Sequence, residues 1–150
     1  MTLNNALNFF ESLKSETTNK SEIKVYGKFI YNLTALQHRG FSNDEIQALE
    51  MELDRLNLNS NPGNRKKFFK KALGKFETYL KDTFSLISKG YYTNLSVSLG
   101  ILFGVVLGVL IGERFERSLG ISFGICIGLF IGAYIGRRMD AQAKAAGNIL

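Results

Sequence analysis

The sequence predicts an all-α membrane protein built from a cytoplasmic helical N-terminal domain and a C-terminal antiparallel transmembrane helical hairpin. Three observations predict it. Residues 95–112 and 119–136 contain no charged side chain. As helices, such 18-residue runs span about 27 Å, close to the hydrocarbon thickness of a bilayer. Glycine recurs every fourth position through both runs, at 100, 104, 108 and 112 and again at 120, 124, 128, 132 and 136. The first 92 residues are polar and lysine-rich, with apolar residues at helical spacing. The expected parts are a soluble domain of about four helices over 1–90, a two-helix hairpin over 91–140 and a short tail over 141–150.

The first helix is expected from Leu3 to Leu13, with Leu3, Ala6, Leu7, Phe10 and Leu13 on one face. The second starts near Ser21 and carries Tyr26, Phe29, Ile30, Leu33 and Leu36 at helical spacing. Gly40 suits the left-handed position after its end. The third has a clear start signal. Ser42 and Glu45 form a capping box, and Phe41 and Ile46 are spaced for a hydrophobic staple. The fourth is expected from Pro62, with Asn61 as its cap, to about Ser88. Its stripe is Phe69, Leu73, Phe76, Leu80, Phe84 and Ile87. Lys66, Lys67, Lys70, Lys71 and Lys75 crowd its first half. Those lysines are either a solvated face or a basic face lying on lipid headgroups.

A four-residue step advances a helix by about 400°, so each glycine ladder is one slowly drifting stripe. In lipid, apolar side chains gain little by leaving the tails, and close backbone approach at small residues favours helix packing. Folding the chain at residues 113–118 pairs Gly100 with Gly132, Gly104 with Gly128, Gly108 with Gly124 and Gly112 with Gly120. Gly136 then meets Ser96. The same stripes are also suited to packing between subunits. On the opposite face of the second helix, Ser118, Ser122 and Cys126 repeat at the same spacing, where the first helix has Leu102, Val106 and Leu110. These are ordinary small residues in lipid or a self-association seam.

The net charge of +6 is concentrated before the first span. Residues 61–92 carry eight basic and two acidic side chains, whereas 1–60 carry six and eight. That excess, with Arg137 and Arg138 after the second span, predicts that both termini are cytoplasmic and that the chain sits in the inner membrane of a bacterium. Tyr91 and Tyr92 suit the interfacial belt, and Thr93 or Asn94 suits a cap for the next helix. In the turn, Glu113 and Glu116 balance Arg114 and Arg117. A deeper first span would draw Glu113 into the bilayer, where an ionisable group is a functional candidate. The one cysteine, Cys126, excludes an intrachain disulfide. The one histidine, His38, reads as a solvated helix end. With no nucleophile–base pairing, metal-ligand spacing or phosphate-cradling loop, no catalytic residue, metal or cofactor is expected.

Two glycine ladders around a short charged turn resemble the glycine-zipper two-transmembrane families, and over residues 95–140 the ATP synthase accessory Z-type family. The residues that carry the resemblance are Gly100, Gly104, Gly108, Glu113, Gly124, Gly128, Gly132 and Arg137. It implies a role beside the rotary synthase, in its assembly or in cation supply. The front half lies outside that pattern, and the turn lacks the Gly-Thr-x-Pro-like start of the family's second helix. The whole chain also resembles bacterial two-span proteins with a helical cytoplasmic N-terminus. The expected function is a non-enzymatic scaffold or assembly factor, anchored in lipid and self-associating, whose front helices bind a cytoplasmic protein. Nucleic acid is not an expected partner. The alternatives are an oligomeric ion conduit or membrane-permeabilising effector, and a lipid-surface sensor built on the basic fourth helix.

Overall fold

Side-chain caps set where the helices of the front half begin. The computed structural model describes residues 1–60, 62–113 and 116–150, with the backbone alone for Arg117. Helix α1 (Leu3–Glu16) starts where Thr2 Oγ1 accepts from the Asn5 amide at 3.2 Å. Helix α2 (Lys20–Gln37) starts at Asn19, whose side chain accepts from the Ser21 amide at 3.0 Å. Helix α3 (Asn43–Arg55) has the capping box: the Glu45 amide donates to Ser42 Oγ, and the Ser42 amide donates to Glu45 Oε2 at 2.8 Å. That backbone donor holds the Glu45 carboxyl below its usual range.

Helix α4 (Arg65–Phe84) is shorter than expected at both ends. Its cap is Asn64, which accepts from the Lys67 amide at 3.0 Å, so the helix starts after Pro62. The expected cap Asn61 and the turn residue Arg114 lie outside the described residues. The helix ends at Phe84 because Ser85 turns left-handed, with φ 56°. The Leu86 amide then reaches back to the Leu80 carbonyl at 3.1 Å and the Leu86 side chain is buried. Gly40 does not take the left-handed position predicted for it. Helix α2 stops at Gln37 with exposed His38 still right-handed, and among the glycines only Gly90 and Gly147 have positive φ.

These four helices, with Leu86 and Leu150, form one unit over Met1–Leu86 and Leu150. Its centre is aromatic. Phe10 is fully buried and stacks on Phe29 at 4.1 Å between ring centroids, and Phe69 meets it edge-on at 5.7 Å. Phe69 also meets Tyr26 edge-on at 5.4 Å, and Phe29 lies 6.3 Å from Phe76. Offset stacks and edge contacts are the arrangements that the ring quadrupole favours. The Leu150 side chain is buried in this core, and its carbonyl accepts from Tyr31 Oη at 2.7 Å.

Burial raises the Tyr26 phenol above its ordinary value of 10.0, reinforced by the nearby Glu22 charge. The native state therefore holds this proton where the unfolded chain releases it. The resulting stability is full below pH 10.0 and is lost as pH rises through the folded value. Urea midpoints measured from pH 8 upward are expected to fall above about pH 10, and Tyr26→Phe to flatten that fall.

The second unit covers Ile87–Ile149. It consists of α5 (Tyr91–Gly112) and α6 (Arg117–Ala145), packed against each other as an antiparallel hairpin. Helix α6 continues past Arg137 and Arg138, so the segment expected as a tail is helical to Ala145. It ends at left-handed Gly147, and the Asn148 carbonyl accepts from the Ile87 amide at 2.9 Å. The division after Leu86 falls four residues before the expected boundary at 90. All six elements are α-helices, and no strand occurs among the described residues.

Candidate functional site

The hairpin is held by bare backbone. A Cβ built on any of Gly100, Gly104, Gly108, Gly120, Gly124, Gly128, Gly132 or Gly136 would fall less than 3.0 Å from a backbone atom of the opposite helix. At Gly108 it would lie 2.6 Å from the Gly120 carbonyl oxygen and 2.8 Å from Ile121 Cα. At Gly120 it would lie 2.5 Å from both the Gly108 oxygen and Gly112 Cα. A glycine carries hydrogen in that direction, so each of these Cα–H groups is aimed at a carbonyl across the interface. Such contacts contribute about 0.5–1 kcal/mol each.

The register is staggered. The pairs expected from the sequence are neighbours: Gly128 lies against Gly104 Cα and Gly124 against Gly108 Cα. The nearest carbonyl, however, belongs to the residue one turn away. Gly100 meets the Gly128 oxygen, Gly104 the Gly124 oxygen and Gly132 the Ser96 oxygen. Each glycine seats between two positions of the partner stripe, as ridges seat in grooves. The same stagger sets Gly136 against Thr93 Cα and the Tyr92 oxygen.

Many of the large apolar side chains of the hairpin are exposed. Leu102 is 63% exposed, Phe103 66% and Phe130 77%. Only 17% of the apolar window of the first helix and 22% of that of the second is buried. The core helix of a water-soluble protein would have the opposite ratio. Ser118, Ser122 and Cys126 are exposed, and Ser122 Oγ donates back to the Ser118 carbonyl at 2.8 Å. Glu113 is exposed at the C-terminal cap of α5. Arg137 and Arg138 are exposed on α6, with the Arg138 guanidinium 5.1 Å from the centre of the Tyr134 ring. Lys66, Lys67, Lys70, Lys71 and Lys75 are exposed along α4 in the first unit. Among the described residues, no group of three or more His, Cys, Asp or Glu side chains could hold a metal ion.

One residue of the hairpin escapes the sequence reading. Helix α5 follows Gly90, which has no side chain to cap it. Asp140 of α6 supplies the cap from the other helix. Its Oδ1 accepts from the Tyr92 amide at 3.0 Å, and its Oδ2 accepts from the Thr93 amide at 3.1 Å and from Thr93 Oγ1 at 2.6 Å. The carboxylate also faces the positive end of the helix dipole. A signal was present, because the relation that pairs Gly104 with Gly128 also pairs Tyr92 with Asp140. Asp140→Ala is expected to cost about 1–3 kcal/mol and to remove hydrogen-exchange protection at the Tyr92 and Thr93 amides. Asp140→Asn, which keeps one acceptor, should retain part of that protection.

The fold and this seam define a class: an all-helical protein whose two C-terminal helices are long and apolar enough to cross a membrane and pack together through glycine backbone. Comparison with protein-family models, with curated proteins and with solved structures yields no match.

Proposed function

We propose that the protein is a non-enzymatic membrane scaffold or assembly factor. The hairpin of α5 and α6 anchors it in the inner membrane with both termini cytoplasmic, and the helical front unit binds a protein partner there. The observation that carries this reading is the inverted packing of the hairpin. Bare backbone lies inside, and large apolar side chains such as Phe103 and Phe130 face outward. That inversion suits oil as the surrounding solvent and has no use in water. The basic residues that flank the spans support the orientation. The exposed line of Ser118, Ser122 and Cys126 supplies a second small-residue face for self-association.

The test has two parts. The intact chain is expected to stay in membranes through alkaline carbonate washing and to react with an impermeant thiol reagent, in cells, at cysteines introduced in the 113–118 turn but not at Asn59. Isolation in mild detergent followed by mass measurement then reads copy number and partner together. Release by carbonate would overturn the anchor, and reaction at Asn59 would overturn the orientation. The conduit reading is supported less, because residues 95–112 and 119–136 offer no charged side chain to water or ions. Ion-dependent leakage from liposomes holding the purified protein would favour it.

A further inference from the structure

A groove of about 440 Å³ runs between α2 and α4 in the first unit, and its rim is basic. The sequence pointed to lysines on α4 alone. The fold brings Lys24 and Lys28 of α2 to the same groove as Lys66 and Lys70 of α4. None of the four ammonium groups makes an ion pair or hydrogen bond among the described residues. The only carboxylate on the lining is Glu77, which accepts from Asn32 Nδ2 at 3.4 Å and so is engaged with the helix core.

Four ammonium groups around one concavity repel one another, and the arrangement is relieved by an anion of several charges. The floor supports the same reading. Gly74 lies in the middle of α4, where glycine costs about 1 kcal/mol relative to alanine. No packing neighbour requires it, because a Cβ there would meet nothing within 4 Å. Its missing side chain leaves open one end of a groove whose size falls in the range of small-ligand sites.

We infer that this groove binds an anion carrying two or more phosphate groups, held by Lys24, Lys28, Lys66 and Lys70. Lysine binds phosphate as a point charge with three rotatable donors, so four of them from two helices suit a chain of phosphates better than a single carboxylate. A soluble polyphosphate and a two-phosphate lipid headgroup share this chemistry.

The test is calorimetric titration of the full chain, in nonionic detergent at physiological salt, with sodium tripolyphosphate. One saturable site is expected. Lys24→Gln with Lys28→Gln should weaken it at least about tenfold, since a charge-assisted contact is worth about a factor of ten or more. Lys71→Gln with Lys75→Gln, which removes the same charge from α4 outside the groove lining, should change affinity by less than about threefold. Melting temperatures of both double variants without anion check that each is folded. Absence of a saturable site, or equal loss from the two double variants, would overturn the proposal. Cardiolipin added to the micelles separates the sources. A weaker apparent tripolyphosphate affinity in the parent chain, but not in the Lys24→Gln/Lys28→Gln variant, assigns the groove to a lipid headgroup. An unchanged affinity assigns it to a soluble anion.

Discussion

Alanine at both Gly124 and Gly128 is expected to push α5 and α6 apart and to lower the stability of the hairpin by about 1–3 kcal/mol per added methyl. The new Cβ atoms would overlap the Gly104 and Gly100 carbonyls, which belong to helix backbone and cannot rotate away as a side chain could. The overlap is removed only by separating the helix axes. That separation also lengthens every Cα–H contact along the seam, so the loss should exceed that of one site. Distances between spin labels on α5 and α6 in detergent or lipid discs should increase, and the melting temperature should fall. Gly128→Leu should do more of both. Gly74→Ala is the matched control: it adds the same methyl to a helix, in open space, and should raise stability by up to about 1 kcal/mol. If the alanine pair left both label distance and melting temperature unmoved, the close backbone packing described for the hairpin would be wrong.

Phe10→Ala is expected to have the largest effect on the front unit, a loss of about 3–5 kcal/mol. Phe10 is fully buried, stacks on Phe29 and receives the edges of Phe9 and Phe69, so its removal leaves a cavity bounded by rings from α1, α2 and α4. A domain of this size has about 5–15 kcal/mol of total stability, so the variant should lie near its unfolding midpoint in mild urea. Near-ultraviolet dichroism against urea reads the tertiary loss. Amide exchange across residues 100–132 reads the hairpin separately and should change little, since that unit has its own internal packing. A loss below about 1 kcal/mol would mean that Phe10 is not central to the core.

The front helices were legible where their signals are local. Ser42 and Glu45 are a capping box in sequence and in space, and the stripe Phe69, Leu73, Phe76 and Leu80 is buried as its spacing predicts. The ends of α4 were less legible for opposite reasons. Its start was expected with Asn61 as the cap, whereas Asn64 is the residue whose side chain reaches the Lys67 amide. Its end turns on Ser85 in a left-handed conformation, for which serine carries no compositional mark. Glycine at position 40 suggested the reverse error, a left-handed turn that the chain does not make. The hairpin seam was readable because glycine at every fourth position admits few other uses. Its half-step stagger was not, since a ladder of identical residues fits a neighbouring ladder nearly as well in either setting. The lysine groove depends on residues about 40 positions apart, which no helical period links, and Asp140 lies 48 positions from Tyr92 and is reached only through the pairing relation of the two glycine ladders.

The cap on α5 also imposes an order on synthesis. Tyr92 leaves the ribosome 48 residues ahead of the carboxylate that will accept from it. Until Asp140 is made, the Tyr92 and Thr93 amides lack that acceptor and are left to water, which keeps that end of the helix at an aqueous boundary. The latch at the open end of the hairpin therefore closes last, after both long helices exist, and a chain that stalls before residue 140 is left with an unfastened pair.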